Sequence, residues 1–128
     1  MTAEEWLEAY REAWQRRDPD RAAALFTDDA TYQEEPCGEV ATGLEGIRAY
    51  WARVTSIQRD VEVRLGVPLV QGRRVAVEWW TTMENAGARI TLAGEFMLTF
   101  DESGRCRRLR EYWHALDGTH LPPDDWGS

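Results

Sequence analysis

The second half of the chain constrains the fold more than any other stretch. Val61, Val63 and Leu65 alternate with polar neighbours, Gln71-Gly72 turns the chain, and Val75, Val77, Trp79 and Thr81 then share one face against Ala76, Glu78 and Trp80. Asn85-Ala86-Gly87 marks the next turn, Ile90 to Phe100 the next strand, Asp101-Glu102-Ser103-Gly104 the next hairpin, and Arg105 to Leu116 the last strand. Everything in this half reads as sheet, and short turns between long strands predict an antiparallel meander. Both faces of the last strands carry large apolar residues. A sheet that is apolar on both sides covers helices with one face and another sheet or subunit with the other, so a homodimer through the outer face is the economical expectation.

The first half has helical spacing instead. Thr2 and Glu5 form a capping box, and Trp6, Leu7, Tyr10, Ala13 and Trp14 recur on one face of a helix expected from about Ala3 to Arg17. Asp18-Pro19 is an N-cap followed by proline at the first helical position, which predicts a second, short helix carrying Ala22 to Phe26. Asp28 to Pro36, DDATYQEEP, is a polar turn running into a strand that stops at proline; alternation sets Ala30, Tyr32 and Glu34 on one face, with Thr31, Gln33 and Glu35 on the other. After the Pro36-Cys37-Gly38 turn, Thr42 and Glu45 read as a second capping box, and Leu44, Ile47, Tyr50, Trp51 and Val54 mark the apolar stripe of a third helix. Three N-terminal helices closing the wide end of a curved antiparallel sheet make an α+β cone, which has a cavity by construction.

At 128 residues the chain fits a single domain, 1–128, that buries roughly two-thirds of its unfolded surface. Residues 117–128 are interrupted by prolines and read as an extended tail, with Trp126 as a docking anchor. A net charge of −8 argues against nucleic-acid and anionic-membrane partners, both of which need clustered Lys and Arg. No stretch has the apolar length of a membrane span, and the N-terminus opens with acids rather than the basic region of a signal peptide, so a cytoplasmic location is expected. Cys37 and Cys106 read as free thiols. With two histidines, two isolated cysteines, no phosphate-cradling glycine loop and no nucleophile elbow, no metal or other cofactor is expected.

The order of these elements, together with the strings ALFTDDATYQEEP, GLEGIRAYW and SGRCRRLREYWHALDG, resembles the nuclear transport factor 2-like superfamily in its SnoaL-like and ketosteroid-isomerase-like branch, over about Glu5 to Asp117. The resemblance implies the cystatin-like cone and a pocket for a small hydrophobic molecule. It does not imply one activity, because that scaffold hosts isomerases, cyclases, dehydratases, epoxide hydrolases and non-enzymes. Against ketosteroid isomerases, Tyr10 falls at the tyrosine position and Glu34 at the catalytic aspartate position, with one extra residue before the proline. Phe96 falls where those enzymes carry a second, protonated acid, and Glu95 beside it points to the other face. Against limonene-epoxide hydrolases, Tyr32 and Glu111 match water-positioning and general-base positions, while Trp79-Trp80-Thr81 replaces the Arg-x-Asp pair. Neither mechanism transfers intact.

Glu34 and Glu111, with Tyr10 and Tyr32, are therefore the candidate catalytic residues. A carboxyl group walled by aromatic rings has its charged form disfavoured, so its pKa rises toward neutrality and suits proton transfer. The alternatives are a solvent-facing strand end or a pairing with Arg110 or Arg48. The expected cavity walls are Trp14, Trp51, Trp79, Phe96, Leu109 and Trp113; Trp79 and Trp113 occupy sheet positions that the family's pattern turns inward. Trp80, on the opposite face, is the candidate for the dimer surface. His114 shares a face with Tyr112 and Arg110 and reads as a rim or interface residue before a catalytic one. The expected activity is proton shuttling on a small hydrophobic compound (isomerisation, cyclisation, dehydration or hydrolysis), and the alternative is a non-catalytic ligand-binding or dimerising module.

Overall fold

The computed structural model describes all of residues 1–128. Helix α1 spans Ala3–Gln15 and begins as its capping box requires: Thr2 Oγ1 accepts from the Glu5 amide at 3.1 Å, and Glu5 Oε1 accepts from the Thr2 amide at 2.9 Å. Asp18 caps α2, Pro19–Ala23, which is shorter than the sequence predicts. Phe26 leaves the helix because it opens strand β1, Phe26–Gln33, paired with Cys106. Strand β2, Val40–Thr42, returns on β1 as a hairpin, and α3 follows at Gly43–Thr55. Thr42 does not cap α3 through its side chain. The residue is held in the extended conformation, with its backbone in register with Thr31, and the turn into the helix is made by Gly43 at φ +75°.

The remaining strands are β3 Gln58–Leu65, β4 Leu69–Gln71, β5 Arg74–Asn85, β6 Ala88–Phe100 and β7 Cys106–Asp117. Their order is β2-β1-β7-β6-β5-β3, with β4 also on β5. The expected all-antiparallel sheet is corrected here, because β1 runs parallel to β7 and the curved sheet is mixed. The cause is topological: α3 separates the β1–β2 hairpin from the meander, so the other edge of β1 is left to join the free edge of the last strand. The pairing jumps from Phe26 opposite Cys106 to Thr31 opposite Arg108, so β1 bulges outward through Asp28 and Asp29. Such a bulge re-aims the strand beyond it. Past it, Ala30 and Tyr32 turn inward and are buried.

The inner face of the sheet and the two long helices enclose one aromatic core. Trp6 is fully buried, stacks on Tyr10 at 5.2 Å and donates its indole N–H to the Leu25 carbonyl at 2.8 Å. Each large side chain buried in this way contributes about 1.5–3 kcal/mol. Val75, Val77, Trp79 and Thr81 all face inward, as the alternation of β5 predicts. The hairpin between β5 and β6 turns at Ala86 and Gly87, both at positive φ (51° and 88°), with Asn85 opposite Ala88. No helix is long and apolar enough to cross a membrane.

The tail docks on the outer face of the sheet. Thr91 Oγ1 donates to the Gly118 carbonyl and accepts from the His120 amide, Trp80 Nε1 donates to the His120 carbonyl at 2.9 Å, and Trp126 packs edge-on against Trp80 at 6.1 Å. Trp80, expected at an intersubunit surface, is thus partly covered by its own chain.

Candidate active site

Between α1, α3 and the inner face of β5, β6 and β7 lies a cavity of about 480 Å³. Tyr10, Trp14 and Trp51 line it from the helices, Tyr32 and Glu34 from β1 and its end, and Trp79, Glu111 and Trp113 from the sheet. Register explains the arrangement. Trp79 and Trp113 both pair with Gly94, so the two indoles flank a position without a side chain. A Cβ there would lie 2.7 Å from the Cβ of Trp113 and press on the Tyr112 carbonyl, so only glycine fits between β5 and β7. One step along, Glu111 pairs with Phe96 and so points inward with it.

Two residues expected in the cavity wall lie in the core instead. Phe96 is fully buried, stacked on Trp79 at 5.4 Å and edge-on to Tyr10 at 5.1 Å, so its ring fills the space behind the wall. Leu109 pairs with Leu98 on one side and Tyr32 on the other, one step closer to the narrow end of the sheet. His114 is exposed on the outer face, opposite Ala93. Glu34 lies one residue beyond the end of β1, half-buried. Its backbone carbonyl accepts from Trp113 Nε1 at 2.9 Å, which ties the turn after β1 to β7.

Glu111 is 6% exposed and is the only acidic side chain among the buried residues. Its Oε1 accepts from the Tyr32 hydroxyl at 2.8 Å, and the Tyr32 oxygen lies 2.6 Å from that of Tyr10. A phenol has one proton, so once Tyr32 donates to Glu111, Tyr10 must donate to Tyr32. The chain of donors therefore runs Tyr10 to Tyr32 to Glu111 and ends on Oε1. Oε2 has no protein partner and is left to the cavity. Burial pushes the Glu111 carboxyl up to about 8, with a further upward push from the Glu34 charge, against the opposing effect of the Tyr32 hydrogen bond. Burial likewise holds the Tyr10 and Tyr32 hydroxyls well above the ordinary phenol range, so both remain donors.

A residue that sequence reasoning assigned only to an apolar stripe completes the site. Tyr50 of α3 donates its hydroxyl to Glu34 Oε2, and its ring lies 4.8 Å from that of Tyr32. The available signal was its chemistry: a half-buried tyrosine hydroxyl needs a partner, and the nearest acids follow β1. Gln58, also unforeseen, is buried in the wall and accepts from Trp14 Nε1 at 3.0 Å. Arg53, Ile57 and Ala115 are exposed lining residues and mark the mouth. No three His, Cys, Asp or Glu side chains come together in an arrangement that would hold a metal ion.

Comparison with known proteins places this geometry. No curated protein gives a match. Among solved structures, SalBIII, an epoxide hydrolase/cyclase-like enzyme with a role in pyran ring formation in salinomycin, is 21% identical with a TM-score of 0.77, covering 87% of this chain and 89% of its own. A ketosteroid isomerase-like protein from Catenulispora acidiphila, in complex with trimethylamine, is 24% identical with a TM-score of 0.77, over 87% of this chain and 86% of its own. A SnoaL-like polyketide cyclase assignment from Shewanella denitrificans is 14% identical with a TM-score of 0.76, over 87% and 89%. These likenesses show the fold. The SnoaL-like domain model matches residues 7–109, from within α1 to the first residues of β7, and the chain belongs to that family.

Proposed function

We propose that the protein is a cofactor-free acid/base enzyme acting on a small hydrophobic compound, with Glu111 as its general acid. The observation that carries the reading is the setting of that one side chain: buried, held at Oε1 by Tyr32 and free at Oε2, a setting in which burial pushes its pKa up to about 8. A proton on Oε2 passes to a substrate oxygen as charge develops there. The carboxylate left behind keeps the Tyr32 hydrogen bond, which strengthens once its acceptor is ionised, and Tyr10 supports Tyr32 in turn. Glu34, bonded to Tyr50 in the lining of the same cavity, is the polar group that orients the substrate. The reaction classes that fit are isomerisation, cyclisation, dehydration and hydrolysis. The cyclase-like character of the relative SalBIII supports this range without selecting within it.

The test is a screen of hydrophobic ketones and epoxides by mass spectrometry, followed by Glu111→Gln on any substrate found. General acid catalysis of this kind is worth about 10²–10⁴-fold, so kcat should fall by that factor. In the wild type, turnover should decline as pH rises through about 8. Unchanged turnover in Glu111→Gln would remove Glu111 from the mechanism. A second reading, ligand binding without turnover, is favoured by one feature: the Tyr10, Tyr32 and Tyr50 hydroxyls are already satisfied within the protein.

A further inference from the structure

The protein has six ion pairs, and none includes a residue of the cavity wall. Glu34 is therefore a carboxyl group with no cationic partner, set at the edge of an aromatic surface. Its Oε2 accepts from Tyr50, its backbone accepts from the Trp113 indole, and the Tyr32 ring lies against that of Tyr50. The face of Tyr50 already attracts a positive charge, since the Arg53 guanidinium carbon lies 5.7 Å from its centroid. Exposed Glu35 follows Glu34 in the lining, and deeper in the same cavity Glu111 is 6% exposed with one oxygen unpartnered. Arg53, exposed at the mouth, is the only cationic side chain in the lining.

We infer that the cavity takes an apolar ligand bearing a basic nitrogen, whose ammonium group docks at Glu34 among Tyr32, Tyr50 and Trp113. Carboxyl and aromatic faces together are the combination that recognises an ammonium group, by charge at the carboxyl and by the ring quadrupoles around it. The same surroundings disfavour an anion, which would sit against the Glu34 charge in a chain that is itself acidic. An uncharged analogue fits the apolar volume and loses only the nitrogen's contribution. The inference deepens the proposed reading by naming the ligand class of that site, and it leaves the atom to be protonated at Glu111.

Docking a cation at Glu34 has a consequence at Glu111. The Glu34 charge is one cause of the raised Glu111 pKa, so an ammonium placed there cancels that push and adds an attraction for the ionised form. The other titratable groups facing Glu111 are Tyr10, Tyr32 and Tyr50, which burial keeps protonated. The proton released on binding near neutral pH therefore comes from Glu111 and is only a fraction of one, so the protein molecules that keep it remain competent as the acid.

Three probes with one ring system separate the possibilities: naphthylmethylamine, naphthylmethanol and naphthoic acid, measured by titration calorimetry in two buffers of different ionisation enthalpy. The amine should bind about tenfold more tightly than the alcohol, with the acid weakest, and its binding should release a fraction of a proton. Glu34→Gln keeps the Tyr50 contact and should bring the amine down to the alcohol. Glu111→Gln should keep the amine preference and abolish the proton release. Equal binding of the three probes, or an amine preference that survives Glu34→Gln, overturns the inference. These readouts need no turnover, so loss of the catalytic reading alone leaves the probe ranking intact, and a flat ranking leaves the Glu111 turnover test standing.

Discussion

Replacing Glu111 by Gln preserves the shape of the side chain and the acceptor that Tyr32 uses, while removing the group that titrates. In the folded protein Glu111 keeps its proton up to about 8, whereas in the unfolded chain it loses it near its ordinary value of 4.5. Between those values the folded state binds more protons, so stability falls as pH rises and levels off above the folded pKa. With each pH unit worth ~1.4 kcal/mol inside that window, the wild type should lose about 4 kcal/mol between about pH 5 and about pH 9 from this one group. Other groups titrate as well, so the quantity to measure is the difference between the two proteins in urea-unfolding free energy across that range. Glu111→Gln should be close to wild type at the acidic end and more stable by several kcal/mol at the alkaline end. Parallel curves, with a difference constant to within ~1 kcal/mol, would refute the claim that burial holds this carboxyl in its neutral form.

Tyr32→Phe removes the donor to Glu111 and leaves the Tyr10 hydroxyl without its acceptor, a buried unsatisfied group that costs about 1–3 kcal/mol. The pH at which stability stops falling should also move above the wild-type value, because the hydrogen bond that lowers the Glu111 pKa is gone. Gly94→Ala forces a methyl group into the backbone of β7 and should destabilise by about 1–3 kcal/mol, read as a lower urea midpoint with an unchanged slope. Ala86→Asn gives the β5–β6 hairpin the Asn-Gly pair that two positive-φ positions favour, and should stabilise by about 0.5–1 kcal/mol in the same assay.

The elements that could be read from the sequence are those fixed by near neighbours. The Thr2–Glu5 box, the Asp18-Pro19 start and the Asn85–Gly87 hairpin each depend on residues within a few positions, and each forms. Thr42 has the same local signature as Thr2, but its backbone belongs to the β1–β2 ladder, so a tertiary pairing overrides the cap. Alternation put Glu111 and Trp113 on one face, since the period of a strand is two in any sheet, and the family resemblance supplied which face turns inward. Alternation carries no information on which strand lies beside which, and the parallel β1–β7 contact was invisible for that reason. The bulge that orients Tyr32 shares that origin, because it exists only in register with β7. Phe96 and Leu109 have the right face and the wrong depth, and depth depends on how far α1 presses its tryptophans into the sheet. Tyr50 was hidden by its own ambivalence: spacing sees an apolar ring, and only the fold supplies Glu34 for its hydroxyl.

The position of β7 carries a further consequence. This strand follows the other six in the sequence, yet it lies between β1 and β6, and neither half of the sheet joins the other without it. A nascent chain that has emerged only through β6 holds β1 and β2 as a detached ribbon, with Tyr32 lacking the carboxyl it will bond. Closure of the sheet and assembly of the Tyr10–Tyr32–Glu111 relay are thus one event, delayed until the final strand threads between two waiting edges. Long-range pairing of that kind slows folding and leaves open edges exposed meanwhile. Chains stalled before Cys106 should therefore be prone to associate through those edges, while the finished chain covers them from within.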